Sequence, residues 1–245
     1  MKVKAIKTKL FKKNDDLFSF VISNIKKVKE NSVIVITSKI VALSEGRIVM
    51  HDGKESHDIF KEKIIKSESE YMLKTTHTWL TIKDGMVMAN AGIDESNSFG
   101  GIVLLPKDSF KSAKIIREKL KKYYGVKNLG ILITDSRLFP LRAGIVGAAI
   151  GYAGFHGVRD YRGTPDIFGR NLKLSRTDVA DSLATSAVLE MGEGREQQPL
   201  AIITEASIVF SDKINKKELL IDIHDDLYMP LFKNAHKLPK KHKRV

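Results

Sequence analysis

The sequence predicts an α/β protein with mixed sheets, and three observations support that class. Short aliphatic, β-branched runs such as Ser32–Thr37 and Leu129–Thr134 are typical of buried strands. Segments between them, such as Asp108–Tyr124, repeat apolar residues at the spacing of an amphipathic helix. The 245 residues are 42% hydrophobic and 29% charged, and no apolar run approaches the roughly 18 residues that a membrane span requires. A globular chain without a membrane partner is therefore expected.

The elements predicted in the first half of the chain alternate between strands and helices. In order they are a strand at Lys2–Leu10, a helix capped by Asn14, the strand Ser32–Thr37, a short helix from Ser38, a charged helix at His57–Leu73, and the strands Thr78–Ile82 and Met86–Ala89. Asp15 and Asp16 fall in the first turn after Asn14, where their charge complements the helix dipole. Residues 83–85, Lys-Asp-Gly, predict a hairpin turn between the last two strands.

The second half of the chain is predicted to continue this alternation. In order it holds a helix at Asp108–Tyr124 closed by Gly125, a strand at Leu129–Thr134 that ends at Asp135, and a helix capped by Thr177 and ended by Gly192. A series of glycines separates that strand from that helix, at Gly144, Gly147, Gly151, Gly154 and Gly157. Such a series is typical either of close backbone packing or of a backbone-lined pocket wall, and both interpretations stay open.

The net charge of +13 is unevenly distributed. Residues 233–245 hold six Lys or Arg and no acid, so +7 of the charge falls on residues 1–232. We expect one catalytic region over residues 1–232, with room for two subdomains, and a basic, disordered tail at 233–245. A solubilising role is favoured for the tail over nucleic-acid contact. The absence of cysteine excludes a disulfide framework, a cysteine-based zinc site and a cysteine nucleophile, and a cytoplasmic location is expected.

Two clusters of oxygen-bearing side chains are candidate metal ligands. The first runs Asp94, Glu95, Ser96 and Asn97, and the second is Asp135 with Ser136. Carboxylate and hydroxyl oxygens suit Mg²⁺ or Mn²⁺, which usually share their coordination with substrate phosphates. The alternative is that each cluster is a solvated turn or a helix cap. The presence of both clusters in a basic chain favours an enzyme that handles metal and phosphate.

Arginines cluster in the region that follows the second acidic segment. They are Arg137, Arg142, Arg159, Arg162 and Arg170, interleaved with Asp160 and Asp166. The planar arginine fork binds carboxylate and phosphate groups, yet the same residues could pair internally with the two aspartates, and both interpretations stay open. His156 is the histidine most suggestively placed, although a structural role is favoured. Neither the P-loop motif nor the Rossmann glycine motif occurs, so neither fold is predicted.

A series of short motifs extends across most of the chain. The motifs are Ser38-Lys39-Ile40-Val41, Glu45-Gly46-Arg47, Ala91-Gly92-Ile93-Asp94-Glu95-Ser96-Asn97, Leu104-Leu105-Pro106, Thr134-Asp135-Ser136, Arg142-x-Gly144, Val146-Gly147-x-Ala149-Ile150-Gly151, Asp160-Tyr161-Arg162-Gly163, Asp166-x-x-Gly169-Arg170 and Met191-Gly192-Glu193. In order and spacing this series resembles the coenzyme F420-0:L-glutamate ligase (gamma-glutamyl ligase) family over residues 8–203. The resemblance implies a family-specific α/β fold, an intertwined homodimer, and GTP-dependent amide formation that uses divalent metal. The product would be L-glutamate joined to a carboxylate of a deazaflavin precursor.

The resemblance also implies roles for individual residues. Asp94 and Asp135 would hold one metal ion, and Ser136 and Glu193 a second. The nucleotide would contact Ser38, Lys39, Asn97, Gly192, Glu193, Gly194, Arg195, Glu196, Gln197 and Gln198. The catalytic set would be Asp94, Asp135, Arg142, Arg162 and Arg170, with the arginines binding anionic groups of the acceptor or of glutamate. Leu43 stands where the family often carries a lysine, which removes one candidate phosphate ligand.

Two alternatives remain at the level of the sequence. The acceptor could be the deazaflavin or a pterin-like molecule such as a reduced folate, because the nucleotide and metal motifs do not distinguish them. The chain could instead be a nucleic-acid-associated binding protein that uses its lysine-rich ends. Deleting residues 233–245 separates the ligase from the binding protein, since a ligase would keep its turnover and an electrostatic nucleic-acid binder would lose its ligand.

Overall fold

The computed structural model describes residues 1–13, 15–98, 100–213 and 215–232. Its strands are β1 (Lys2–Ile6), β2 (Ser32–Thr37), β3 (Ile48–Val49), β4 (Tyr71–Lys74), β5 (Trp79–Lys83), β6 (Met86–Ala89), β7 (Ile102–Val103), β8 (Leu129–Leu138), β9 (Ile145–Ala153), β10 (Val158–Asp160), β11 (Arg176–Asp178) and β12 (Leu200–Thr204). Its helices are α1 (Leu17–Asn24), α2 (Ser38–Ser44), α3 (His57–Glu68), α4 (Ser109–Tyr124), α5 (Val179–Met191) and α6 (Met229–Phe232), with a 3₁₀ turn at Asn90–Gly92. The predicted mixed α/β class is confirmed. The predictions for Asn14 and for the tail at 233–245 fall outside the described residues.

The chain divides into two compact units. The first comprises Met1–Arg47 and Pro106–Leu219, and the second comprises Ile48–Leu105 and the segment that starts at Leu220. The central sheet of the first unit has the strand order β1-β12-β2-β8-β9. The β2–β8 pair is parallel, and the other three pairs are antiparallel. The five innermost residues of β2 are fully buried, as expected for a central aliphatic strand, and helices α4 and α5 pack on β8 and β9.

The strand predictions in the first unit differ in how well they locate the ends. Ser32–Thr37 is confirmed residue for residue as β2. The prediction that a strand ends at Thr134 is wrong, because β8 continues to Leu138. Residues beyond Thr134 keep pairing with β9, where Asp135 lies opposite Ala148. Conversely, β1 is shorter than Lys2–Leu10 and ends at Ile6, where its partner β12 begins.

The helix predictions identify the helices but miss some caps. Asp16, which the sequence assigned to the first turn, caps α1 by accepting the backbone N–H of Ser19 at 2.7 Å. Asp178, rather than Thr177, caps α5 by accepting the backbone N–H of Asp181 at 2.9 Å. Thr177 lies one residue before the cap, in β11, where it pairs with Arg159. Helix α4 is confirmed, with Asp108 as its cap and Gly125 closing it in the left-handed conformation.

Close backbone packing explains most of the glycine series. A β-carbon on Gly147 would lie 2.5 Å from a methyl group of Val188 in α5. One on Gly151 would lie 2.5 Å from the backbone of Ser109 at the start of α4, and one on Gly154 would strike the carbonyl oxygen of Leu129. These glycines therefore let both helices approach β9 closely, which favours packing over a pocket wall. Gly144 differs, with open space around it in the β8–β9 turn.

The second unit contains a three-stranded antiparallel sheet, β4-β5-β6, and the two-stranded sheet β3-β7. The predicted hairpin between β5 and β6 is confirmed, with Asp84 and Gly85 both at positive φ. The predicted helix at His57–Leu73 is too long. It ends at Glu68, and Tyr71–Lys74 forms β4, because these residues find hydrogen-bonding partners in β5. Over the described ranges, no helix is long and apolar enough to cross a membrane.

Candidate active site

The parallel strands β2 and β8 bring two polar side chains together at their carboxyl ends. The last parallel pair is Thr37 with Thr134. Ser38 then opens α2, and Asp135 is the next residue of β8. The Ser38 hydroxyl is buried and donates a hydrogen bond of 3.1 Å to Oδ1 of Asp135. A serine and an aspartate that lie 97 positions apart in the chain are thus joined where parallel strands usually carry functional groups.

Arg137 holds the other oxygen of the same carboxylate. Its Nη1 donates to Oδ2 of Asp135 at 2.8 Å and to the carbonyl oxygen of Ser136 at 3.3 Å. The Arg137 side chain is 9% exposed and that of Asp135 is 20% exposed. The sequence placed Arg137 only within a broad basic cluster. The missed signal is that residues two apart in a strand share a face, which applies only once β8 is known to extend past Thr134.

Ser136 connects β8 to the loop that follows α5. Its hydroxyl donates to Oε1 of Glu193 at 2.8 Å. The loop begins at Gly192, whose positive φ ends the helix, and its next four residues are exposed, namely Glu193, Gly194, Arg195 and Glu196. Four of the residues that the resemblance assigns to metal or nucleotide binding therefore form two hydrogen-bonded pairs, Ser38 with Asp135 and Ser136 with Glu193, at adjacent positions of β8.

The remainder of the 192–198 loop is fixed mainly by its own contacts. The backbone N–H of Gly194 donates to the Glu196 carboxylate at 2.7 Å, and the Gln198 amide donates to the carbonyl of Met191 at 3.2 Å. The carbonyl of Gln197 accepts the backbone N–H of Thr8 at 2.9 Å. These bonds leave the exposed faces of the loop open to solvent. An exposed loop with a fixed backbone is suited to contact a nucleotide.

Lys39 and Leu43 both lie in α2, with different surroundings. Lys39 follows Ser38 in the first turn of the helix and is half-buried. Leu43 is 2% exposed and belongs to the hydrophobic core. The position where the family often carries a lysine is therefore part of the apolar interior in this chain.

The first acidic cluster, residues 94–97, lies in the second unit and is built from turns. Asp94 pairs through its backbone with Val103, and its Oδ1 accepts the backbone N–H of Ser96 at 2.7 Å. The 3₁₀ turn Asn90–Gly92 separates Asp94 from β6. Asn97 is exposed and adopts a positive φ of 49°. Asp94 and Asp135 thus belong to different units.

Glu95 is engaged by basic side chains of α3. Its Oε1 lies 2.8 Å from Nε2 of His57, and its other oxygen accepts a hydrogen bond from the Lys61 ammonium group. All three residues belong to the second unit. The neighbour of Asp94 is thus anchored to a helix within that unit.

The three arginines assigned to the catalytic set all lie on exposed turns. Arg142 is in the β8–β9 turn, where its backbone N–H donates to the carbonyl of Phe139. Arg162 binds both carboxylate oxygens of Asp160, and this hydrogen bonding lowers the pKa of Asp160 to about 2. Arg170 lies 3.4 Å from the carboxylate of Asp166. Of the two interpretations left open by the sequence, internal pairing is what the structure shows for Arg162 and Arg170.

His156 is also exposed. It follows β9, and its backbone N–H donates to the carbonyl of Val209 at 3.0 Å. This bond involves the backbone alone, in keeping with the structural role favoured for the residue.

Two carboxylate–hydroxyl pairs supply oxygen atoms of the kind that a hard divalent cation prefers. Asp135 and Glu193 supply carboxylates, and Ser38 and Ser136 supply hydroxyl groups. Mg²⁺ is usually bound by one or two protein carboxylates, with water and substrate phosphates completing its coordination. Among the residues that the structure describes, no group of three or more His, Cys, Asp or Glu side chains is arranged to hold a metal ion. A divalent cation held by these donors would need water or phosphate oxygens to complete its coordination.

The chain is similar to known proteins of one family. The model of the family described as F420-0:Gamma-glutamyl ligase matches residues 5–205. A protein from Methanococcus maripaludis named coenzyme F420:L-glutamate ligase is 35% identical over 215 residues, covering 82% of this chain and 86% of the relative. A protein of the same name from Methanocaldococcus jannaschii is 35% identical over 199 residues, covering 76% of this chain and 80% of the relative. The matched region contains every site residue described above.

Proposed function

The chain belongs to the F420-0:gamma-glutamyl ligase family, and on that premise we propose that it is a GTP-dependent ligase joining L-glutamate to a carboxylate of coenzyme F420-0. The observation that supports this most directly is the Ser38–Asp135–Arg137 cluster at the ends of β2 and β8. It combines a carboxylate, a hydroxyl and a buried cation beside the exposed loop that carries Glu193. Such a combination is suited to binding a nucleoside triphosphate and its divalent metal ion.

The proposed reaction has two steps that the site must serve. A carboxylate oxygen of the acceptor attacks the γ-phosphorus of GTP, and GDP leaves, so that an acyl phosphate forms. The amine of glutamate then attacks the acyl carbon, and inorganic phosphate leaves while the amide bond forms. The amine loses a proton during this step, and the departing phosphate or solvent water takes it up. Because little covalent chemistry falls to the protein, its contribution is to orient the reactants and to balance charge.

The residues of this chain are assigned to these tasks as follows. Asp94, Asp135, Ser136 and Glu193 would hold divalent metal, and a bound Mg²⁺ or Mn²⁺ would offset the charge that develops on the phosphoryl oxygens. Ser38, Lys39, Asn97 and the loop at Gly192–Gln198 would contact the nucleotide. Arg142, Arg162 and Arg170 would bind anionic groups of the acceptor or of glutamate through their planar forks, and Arg162 and Arg170 would exchange their present partners, Asp160 and Asp166, for the ligand.

A homodimer completes the proposal. Large apolar side chains are more than half exposed on the β8–β9 turn and on the loop between β10 and β11, namely Phe139, Leu141, Ile167, Phe168 and Leu174. Exposed apolar groups at this density mark a surface that another chain covers. A second copy of this chain would cover these loops, which also carry Arg142, Arg162 and Arg170. Light scattering at micromolar concentration should give twice the monomer mass, and a monomer mass would overturn the dimer.

The test of the function is a turnover assay with a panel of acceptors. The protein is incubated with GTP, Mn²⁺, glutamate and either F420-0 or a reduced folate, and the acceptor is examined by mass spectrometry. F420-0 should gain the mass of one glutamyl residue, and ¹⁸O placed in its carboxylate should appear in the released phosphate. Replacing GTP by ATP tests the choice of nucleotide.

The outcomes separate the alternatives. A glutamyl gain on the folate alone would overturn the deazaflavin as acceptor while keeping the ligase. No gain on either acceptor, from protein that melts cooperatively, would overturn the ligase itself. Unlabelled phosphate beside a labelled, glutamylated product would rule out the acyl phosphate.

A further inference from the structure

Arg137 is a buried cation that neither the metal nor the nucleotide assignment uses. Its guanidinium is 9% exposed, in the middle of the polar cluster at the end of β8. Burying a guanidinium is costly unless hydrogen bonds and an opposite charge compensate for the lost water. Part of this compensation comes from Asp135, at 2.8 Å, and from the carbonyl oxygen of Ser136, at 3.3 Å.

The Asp135 carboxylate is consequently held from two sides. Ser38 donates to Oδ1 and Arg137 donates to Oδ2, so one oxygen has a neutral donor and the other a charged one. Two donors at fixed positions select one orientation of the carboxylate before any ligand arrives. The guanidinium also cancels most of the negative charge that Asp135 would otherwise present to a cation.

A second buried arginine shows what a purely structural pair looks like in this chain. Arg117 of α4 is 8% exposed, and it donates to Asp212 and to the carbonyl oxygen of Leu129, both at 2.6 Å. Leu129 is itself fully buried. Arg117 therefore fastens a helix to a strand, whereas Arg137 binds a carboxylate that has been assigned to metal. The two residues are matched in burial and in chemistry, so one serves as a control for the other.

We propose that Arg137 is a positioning residue that makes divalent-cation binding at Asp135 depend on the polyphosphate of the nucleotide. This inference rests on the proposed function. A divalent cation that approaches Asp135 alone meets a like-charged guanidinium. A cation that arrives with a triphosphate brings an excess of negative charge, which the guanidinium attracts. Metal and nucleotide therefore bind together, and metal alone binds weakly.

The test measures Mn²⁺ binding without turnover. Free Mn²⁺ is followed by electron paramagnetic resonance as it is titrated into the wild type, Arg137→Gln and Arg137→Lys, first without nucleotide. Arg137→Gln should bind Mn²⁺ about tenfold more tightly than the wild type. The substitution removes the positive charge beside Asp135 and its hydrogen bond to the carboxylate, and a hydrogen bond to a charged group contributes about this much free energy. Arg137→Lys should resemble the wild type because it keeps the positive charge. Asp135→Asn placed in the Arg137→Gln background should abolish the gain.

The controls distinguish this inference from the proposed function. Arg117→Gln should melt at a lower temperature than the wild type but bind Mn²⁺ with the same affinity. If Arg137 had only a structural role, Arg137→Gln would behave in the same way. If Arg137→Gln does not fold, Arg137→Met provides the same neutral comparison. Equal Mn²⁺ affinity in the wild type and the neutral variant would overturn the role of Arg137 alone. If the wild type with a non-hydrolysable GTP analogue binds no more Mn²⁺ than Asp135→Asn does, the metal site itself is overturned.

Discussion

Asp135 and Asp94 are assigned the same task but are held in opposite ways. Asp135 lies in a sheet, and the serine that donates to its carboxylate is 97 positions away in the chain. Asp94 lies in a turn, and both of its oxygens accept hydrogen bonds from Ser96, two positions away. A hydrogen bond from a distant residue therefore helps to orient one carboxylate, and hydrogen bonds from a near neighbour help to orient the other.

The difference teaches that the two acidic clusters should respond differently to perturbation. A geometry that depends on contacts between distant residues is lost whenever the sheet shifts. A geometry that depends on a turn persists as long as the few residues of that turn keep their conformation. Changes in the packing of the first unit should thus disturb Asp135 before any change is seen at contacts between near neighbours.

The largest expected effect comes from removing the charge at the sheet-held site. Asp135→Asn should reduce nucleotide turnover by at least about a hundredfold. The metal that offsets the charge of the reacting phosphate would lose a negatively charged ligand. The side-chain oxygen of asparagine can still accept from Arg137, but the buried guanidinium loses its opposite charge, so the melting temperature should fall as well while the protein still folds. Steady-state kinetics and thermal melts measure both quantities.

The control for this variant is Asp52→Asn. Asp52 is an exposed aspartate whose carboxylate pairs with Lys54 at 3.0 Å. Its replacement should leave turnover within about twofold of the wild type, since exposed ion pairs contribute little. Turnover in Asp135→Asn that matches the wild type would remove Asp135 from the mechanism.

An intermediate effect, on the free energy of unfolding, is expected when a glycine in each unit is replaced by alanine. Gly147 lies opposite Ser136 in the sheet, and a β-carbon there would lie 2.5 Å from Val188. Gly147→Ala should lower the free energy of unfolding by about 3 kcal/mol through overpacking. Gly100 has a positive φ of 82° but no atom near its β-carbon position, so Gly100→Ala should cost only about 1 kcal/mol of backbone strain. Urea unfolding of both variants gives the two values.

Equal losses of stability in the two glycine variants would contradict this account. They would mean that backbone strain at Gly100, near Asp94, destabilises the protein as much as the steric clash at Gly147 in the sheet. An enzyme assay on Gly147→Ala under folding conditions adds a second reading, since displacement of β9 should also move Ser136.

The smallest effect concerns a local pair in the first unit. The hydrogen bond from Arg162 lowers the pKa of Asp160 from 3.8 to about 2. The stability that this pair contributes is therefore present above pH 3.8 and is lost as the pH falls through about 2. In Arg162→Gln the pKa of Asp160, followed by NMR titration, should rise towards 3.8. In Gly147→Ala it should stay low, because the pair spans only two positions.

Arg170→Gln serves as the control for the titration. Arg170 pairs with Asp166 rather than with Asp160, so its replacement should leave the pKa of Asp160 unchanged. A pKa of Asp160 that rises in Gly147→Ala would show that the loop depends on the packing of the sheet, and the distinction between local and distant contacts would fail there.

The sequence predicts those features that depend on neighbouring residues. The strand Ser32–Thr37 and the turn at Asp84 and Gly85 are encoded by a continuous aliphatic run and by a pair that favours positive φ. The extension of β8 beyond Thr134 could not be predicted in this way, because it is decided by pairing with β9. The same reason shortens the helix predicted at His57–Leu73, where pairing with β5 takes over.

The candidate site follows the same rule. The motifs single out Ser38, Asp135, Ser136 and Glu193, and the structure pairs Ser38 with Asp135 and Ser136 with Glu193. The contact between Arg137 and Asp135 was missed because it requires both residues to lie in one strand. The caps Asp16 and Asp178 were missed for another reason. Asparagine, threonine and aspartate all cap helices well, so the choice among adjacent candidates is made by the backbone around them.

The order of strands in the central sheet has a consequence for synthesis of the chain. Strand β12 lies between β1 and β2, so the first strand to leave the ribosome has no partner until Leu200–Thr204 has been made. The three strands β4, β5 and β6 lie within residues 71–89 and can pair as soon as they emerge. During most of translation the nascent chain therefore exposes an incomplete sheet, which makes this protein a candidate for chaperone binding until its last central strand arrives.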